Sequence, residues 1–265
     1  MTSQPGTDMR ISRLYVDSAL SEGENLRLED ESAHYLRTVL RLKKGFQLTV
    51  FNGDGHEYAA QIEVASREGV WLTIGRGCFR DTESPIFTHL GLGISRGERM
   101  DFALQKAVEL GVSRITPLVT EHCVVRLDED KKGHRLHHWQ RIIRSACEQS
   151  GRNRLPTLDA PLALENWLER PSGLRLFLDP QGATSLDCLA PREGRVTLLS
   201  GPEGGFAERE RDHACHAGFT PIRLGPRILR AETAVLAALA AVQTLWGDWH
   251  GSPVKLSERA PPTSP

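Results

Sequence analysis

Val196-Thr-Leu-Leu-Ser-Gly-Pro-Glu-Gly-Gly-Phe206 and, beyond a charged segment, Leu224-Gly-Pro-Arg-Ile-Leu-Arg-Ala-Glu-Thr-Ala-Val-Leu-Ala-Ala-Leu-Ala-Ala-Val242 are the stretches on which the reading of this chain turns. In each, an apolar element adjoins a loop rich in glycine and proline. Glycine lets a ligand come close to main-chain N–H and C=O groups, so two such loops suggest a pocket lined by backbone. The helix that follows carries no charge after Glu232, which predicts burial on more than one side.

Working outward, the segments before this stretch alternate between strand and helix. His89–Ile94 reads as a strand, and Met100, Leu104, Ala107 and Val108 form a helical stripe stopped by Gly111. Ile115–Val119 is a strand. Trp139, Ile142, Ile143 and Ala146 stripe a second helix, ended by Gly151, and Leu174–Leu178 and Val196–Ser200 are further strands. Such alternation implies an α/β domain with a mostly parallel sheet, whose ligands bind beyond the carboxyl ends of the strands. Asp179-Pro180, Gly201–Gly205 and Gly225-Pro226 all fall just there.

Residues 10–80 have a different pattern. Arg13–Val16 is a short strand, and Ser32 can cap a helix over His34–Leu40 with Arg37 and Arg41 on one face. Phe46, Leu48 and Val50 alternate, Asn52–Gly55 turns, and Tyr58, Ala60, Ile62 and Val64 alternate again, which is a hairpin; Val70–Ile74 adds a strand. The expected organisation is an unstructured 1–9, a small β-barrel-like domain over 10–80, an α/β domain over 81–250 entered through Asp81–Pro85, and an unstructured tail over 251–265.

The chain has 265 residues, 39% hydrophobic and 25% charged, with net charge −1. That composition is ordinary for a globular protein, and no apolar stretch approaches a bilayer span. The polar first ten residues lack the apolar core of a signal peptide, so a cytoplasmic protein without a membrane partner is expected. Five widely spaced cysteines without Cys-x-x-Cys suggest reduced thiols. Between Lys131 and Arg154 seven Lys/Arg face one acid, Glu148. A solvated helix face explains such a run, but so does a polyanion site.

Gly201-Pro-Glu-Gly-Gly lacks the Gly-Lys-Ser/Thr ending of a P-loop, and the glycines at 91, 93 and 97 miss the dinucleotide spacing. Gly93-Ile-Ser-Arg-Gly97 satisfies the Gly-x-Ser-x-Gly of a hydrolase elbow, with Asp179 and His213 following in order; the plain alternative for Ser95 is a strand-to-helix turn. His134, His137 and His138 have no carboxylate or cysteine placed to complete a metal site, so no metal is expected.

The two loops, as LSGPEGGF and LGPRILRAETAVLAAL, closely resemble the RsmE-type ribosomal RNA methyltransferases of the SPOUT class. The resemblance extends to RGERMDFALQKAVELGVSRITPL (Arg96–Leu118), HCVVRL (His122–Leu127), WQRIIRSACEQSGRNRLP (Trp139–Pro156) and HYLRTVLRLKKG (His34–Gly45). The family often has Thr at the position of Ala231 and Lys at that of Arg96. The resemblance implies a PUA-like RNA-binding domain before a SPOUT domain tied in a deep trefoil knot, forming a homodimer. It implies transfer of a methyl group from S-adenosylmethionine to N3 of a uridine in 16S ribosomal RNA, within the small ribosomal subunit.

On that reading the cofactor meets Leu178, Leu199, Ser200, Gly201, Glu203, Gly204, Leu224, Gly225, Ile228, Leu229 and Thr233. Arg230 stabilises charge that develops on the uracil carbonyl oxygens, and Glu203 or Glu232 orients Arg230 or accepts the N3 proton. The RNA meets Arg10, Arg13, His34, Arg37, Arg41, Arg144, Arg152 and Arg154. A non-catalytic RNA-binding protein of the same fold, or a hydrolase using Ser95, are the alternatives.

Overall fold

Two sheets carry the chain. The computed structural model describes residues 12–28, 30–39, 41–66, 68–123 and 129–249. Arg10, the stretch 1–9 and the tail 251–265 lie outside them.

The first sheet begins with β1 (Arg13–Tyr15) and β2 (Asn25–Arg27). Helix α1 (Asp30–His34) follows and widens into a π-helical turn over Tyr35–Val39. Strands β3 (Gln47–Phe51), β4 (His56–Ser66) and β5 (Gly69–Phe79) complete the sheet in the order β1-β3-β4-β5-β2. Its pairs are antiparallel except β1 with β3. The hairpin is where the alternation predicts it. Leu48, Val50, Ala60, Ile62, Val70, Leu72 and Ile74 point into one core with Leu14 and Leu36, and each buried large aliphatic side chain contributes roughly 1.5–3 kcal/mol. The helix departs from expectation: it starts at Asp30, so Ser32 is inside it rather than capping it. The wider turn lets Leu36 enter the core while Tyr35 stays outside. Arg37 and Arg41 do not share a helix face, because Arg41 lies beyond the helical residues with φ +53°.

The second sheet is built from β6 (Phe87–Gly93), α2 (Glu98–Glu109), β7 (Arg114–Val119), α3 (Glu129–Ser150), β8 (Thr157–Leu158), β9 (Leu162–Ala163), α4 (Leu164–Trp167), β10 (Leu174–Leu178), β11 (Arg195–Ser200), α5 (Glu208–His216), β12 (Thr220–Ile222) and α6 (Ala231–Leu245). Its order is β12-β10-β11-β6-β7-β8, with β9 also on β7, and every pairing is parallel. Both faces are covered, as a parallel sheet requires. Leu90, Leu92, Ile115, Val196 and Leu198 pack with α2, α3 and α6; Leu118, Phe177 and Leu199 pack on the other side with α4 and Ala214 of α5. In α6, Val235, Ala238, Leu239 and Val242 are buried. Trp246 is half-buried against the core, whereas Trp249, just beyond the helix, is exposed.

The two sheets share a buried seam. Tyr15 and Phe51 of the first pack against the core of the second. The Glu148 carboxylate accepts the Tyr15 N–H at 2.9 Å. Arg13 was expected to meet RNA. Instead its guanidinium lies over the Phe51 ring at 5.0 Å, pairs with Glu57 at 2.6 Å and donates to Asn153 Oδ1. Arg152 is a clearer correction. Only 4% exposed, it pairs with Glu83 and donates to the carbonyls of Val108 (2.9 Å) and Val112 (3.0 Å). A guanidinium whose donors are filled inside the protein has none to offer a phosphate; Arg152 ties the Asp81–Pro85 connection to the second sheet. Ser84 Oγ, donating to Gln243 Oε1 at 2.7 Å, does the same.

Candidate active site

Because β10, β11 and β12 run in one direction, the loops leaving them emerge at one edge. After β10 the chain turns at Asp179, whose buried carboxylate accepts the Gln181 N–H at 2.9 Å and pairs with Arg211 of α5 at 2.7 Å. After β11 comes Gly201–Phe206, fixed by Glu210 from below. This buried carboxylate accepts the N–H of Ala207 at 2.9 Å and that of Glu121 at 2.8 Å, joining the loop to the one after β7. Gly93 lies against the same loop so closely that a Cβ there would sit 2.5 Å from Pro202 N. After β12, residues 223–230 lead into α6, which Arg230 starts from an extended N-cap conformation without a side-chain cap.

The loops enclose a cavity of about 470 Å³. Of the residues expected to line it, Leu178, Ser200, Gly201, Glu203, Leu224, Ile228, Leu229, Arg230 and Glu232 do. Four others do not. Leu199 points to the opposite face of the sheet from its neighbours and is buried beside Phe177. Gly204 is turned toward His122, whose Nδ1 lies 2.9 Å from its carbonyl oxygen. Gly225 is outside the lining, and Thr233 faces solvent one position past Glu232 on α6. The sequence reading missed Arg99, Arg211, Arg223 and Arg227, which bring cations to the wall. Arg99 pairs with Glu203 at 2.9 Å. Their one signal was position: Arg99 opens the helix after β6, and Arg223 and Arg227 flank the second glycine loop.

The lining fits S-adenosylmethionine. Leu178, Leu224, Leu229 and Ile222 offer apolar walls for a purine, and Ser200 and Gly201 line the same cavity. Glu232 brings negative charge for a ligand carrying an ammonium and a sulfonium, while Asp179 and Glu203 in the same wall are paired with Arg211 and Arg99. A Cβ on Gly201 would press on the Phe206 ring at 3.1 Å, so the loop is already packed to the limit.

Among the cations expected to meet RNA, Arg154 and Arg41 are exposed, and Arg37 donates to the Ser66 carbonyl. His34 is exposed near Thr38. Arg144 lies over the Tyr15 ring at 5.1 Å and reaches Asp17 only at 3.8 Å. Burial pushes the Glu148 carboxyl above its ordinary pKa. The hydrolase alternative has no geometry behind it: Ser95 is buried, the Asp179 carboxylate is committed to Arg211, and His213 is exposed on α5. His138 pairs with Asp101 at 2.8 Å. A second polar cluster lies at the opposite edge of the sheet. There His89 Nε2 is 2.8 Å from Thr116 Oγ1, and Asp159 takes Arg114 Nε and Nη2 at 2.8 Å each. Burial, reinforced by the Arg114 charge, pushes His89 down to about 4.

Comparison with known proteins identifies the family. A family model described as an RNA methyltransferase domain matches residues 82–243, and one described as an RNA methyltransferase PUA domain matches 28–75. The ribosomal RNA small subunit methyltransferase E of Buchnera aphidicola (subsp. Schizaphis graminum) is 36% identical over 90% of this chain and 98% of its own. A methyltransferase from Legionella pneumophila, solved with bound S-adenosylmethionine, superposes with a TM-score of 0.88 at 40% identity, over 91% of this chain and all of that one. The ribosomal RNA small subunit methyltransferase E of Neisseria gonorrhoeae, bound to S-adenosylmethionine, gives 0.85 at 39% over the same shares. With its full-length relatives and both domain matches, the chain belongs to the ribosomal RNA small subunit methyltransferase E family.

Proposed function

We propose that this protein methylates N3 of a uridine in 16S ribosomal RNA, taking the methyl group from S-adenosylmethionine held by the loops after β10, β11 and β12. The observation that carries the reading is the convergence of those three loops on one cavity with Arg230 and Glu232 at its wall. The cofactor, when bound, supplies an electrophilic methyl on a sulfonium.

The chain does the rest by placement. Leu178, Gly201, Leu224 and Leu229 hold the donor, and alignment of donor and acceptor supplies much of the acceleration. As N3–H is lost, negative charge spreads onto the flanking carbonyl oxygens, and the Arg230 guanidinium meets it there. The two acids differ. Glu203 is engaged by Arg99 at 2.9 Å, which suits it to an orienting role. Among the described residues Glu232 has no ion-pair partner, so it is the proton acceptor of choice.

A uridine inside folded RNA must leave its stack to reach the cavity. Arg41, Arg144 and Arg154 then hold phosphates around it. Ile228, 86% exposed at the cavity mouth, and Phe102, 44% exposed on α2, give a homodimer apolar surface to cover. The expected setting is the cytoplasm, on the small ribosomal subunit, and the resemblance to the SPOUT class implies a trefoil knot.

Calorimetry with S-adenosylmethionine and methyl incorporation into 16S rRNA test the reading together. Arg230→Ala is expected to lower turnover by roughly 10²–10³ while cofactor affinity changes little. Undiminished turnover refutes the role of Arg230, and absence of incorporation by the native protein refutes the function.

A further inference from the structure

A second cavity, of about 490 Å³, opens at the seam between the two sheets and shares no lining residue with the cofactor cavity. Tyr15 and Tyr35 bring aromatic rings to it, Ile142 of α3 adds an apolar wall, and Arg141 and Arg144 bring cations. Tyr35 is 38% exposed, held outward by the π-helical turn that begins at it. The Arg144 guanidinium is already set over the Tyr15 ring. The one acid of the Lys131–Arg154 stretch, Glu148, lines the same cavity, with Oε1 engaged by the Tyr15 N–H. Among the described residues no hydrogen bond engages its Oε2.

Flat aromatic and aliphatic walls, two guanidinium groups and a single inner acceptor suit a nucleobase followed by its phosphate. Stacking on an aromatic ring does not require a particular base, whereas an inner acceptor favours a base with an N–H or amino edge. The volume falls in the range of pockets that take molecules of nucleotide size. From these features we propose that the seam cavity receives a second unpaired nucleotide of the RNA, distinct from the methylated uridine, stacked against Tyr35. Because the cavity is lined by β1 and α1 on one side and by α3 on the other, a base seated there fixes the RNA relative to both parts of the chain at once. The cavity thereby sets the distance along the RNA at which the target uridine is presented. This rests on the RNA methyltransferase reading above.

The test uses the full chain and 16S rRNA transcribed with 4-thiouridine. Near-ultraviolet cross-linking followed by peptide mapping is expected to place a cross-link on the peptides carrying Tyr35 or Ile142. Tyr35→Ala is expected to raise KM for 16S rRNA about tenfold, with KM for S-adenosylmethionine unchanged. Tyr35→Phe is expected to restore it, and Ser145→Trp, which fills the cavity from α3, to reproduce the loss. Cross-links confined to other peptides, or Tyr35→Ala with an unaltered RNA KM, overturn the proposal. So does a loss seen with whole small subunits but not with protein-free rRNA, which would assign the cavity to a ribosomal protein segment. If the native protein transfers no methyl group to rRNA, the function itself has failed, and this proposal with it.

Discussion

Replacing Gly93 by alanine tests how the cofactor loop is held. Gly93 ends β6, and a methyl group on it would lie 2.5 Å from Pro202 N, 2.6 Å from Pro202 Cδ and 2.7 Å from Gly201 C. Comfortable contact begins near 3.5 Å, so the Ser200–Gly205 loop must retreat by about 1 Å. The neighbours are backbone and a proline ring, which cannot swing aside as a long side chain could. Overpacking of this kind costs about 1–3 kcal/mol, which lowers Tm by several degrees in a chain of this size. The same loop is one of three walls of the cavity. Its retreat should weaken S-adenosylmethionine binding on the order of tenfold, equivalent to roughly 1.4 kcal/mol. A misplacement of 1 Å can also cost about 10²-fold in turnover. Calorimetry for the affinity, a thermal melt for the fold and methyl incorporation for turnover separate the three effects. A variant that melts like the native protein and binds the cofactor within about twofold of it would show that the loop is not seated on Gly93.

Two further predictions concern stability. Arg152→Ala leaves the Glu83 carboxylate and the Val108 and Val112 carbonyls without their donor, and loss of one partner of a buried pair costs roughly 3–5 kcal/mol. A chemical-denaturation midpoint unchanged by the substitution would contradict the burial assigned to Arg152. His89 gives a pH dependence. Its folded pKa, about 4, lies below the 6.5 of the unfolded chain. The unfolded state therefore binds the extra proton first as pH falls, and stability is lost between about pH 6.5 and 4. His89→Gln should flatten that limb of a Tm-versus-pH curve by up to one proton, about 1.4 kcal/mol per pH unit. Identical limbs in both proteins would show that His89 is not held neutral.

Much of this architecture is written in local pattern. Strands β3 to β7, β10 and β11 follow from alternating or continuous apolar runs, and the edge where ligands bind follows from strand–helix alternation. What escaped is what periodicity cannot carry. Strands β2, β8, β9 and β12 are two or three residues long, too short to alternate. The first half of α3, Glu129–His138, has no apolar stripe to reveal it. Within the site, the loops were legible because glycine and proline mark them. The direction of Leu199 was not, since a strand sends neighbouring side chains to opposite faces. Arg13 and Arg152 looked like phosphate ligands because charge is visible in a sequence, while the partners that occupy them, Glu57, Asn153 and Glu83, are distant along it.

The most direct measurement is mass-spectrometric mapping of 16S rRNA from cells with and without this protein. One uridine should carry a methyl group on N3 in the first and lack it in the second, with Arg230→Ala failing to restore it. An rRNA identical in both, methyl groups included, would contradict the assignment of the three-loop cavity to rRNA methyl transfer.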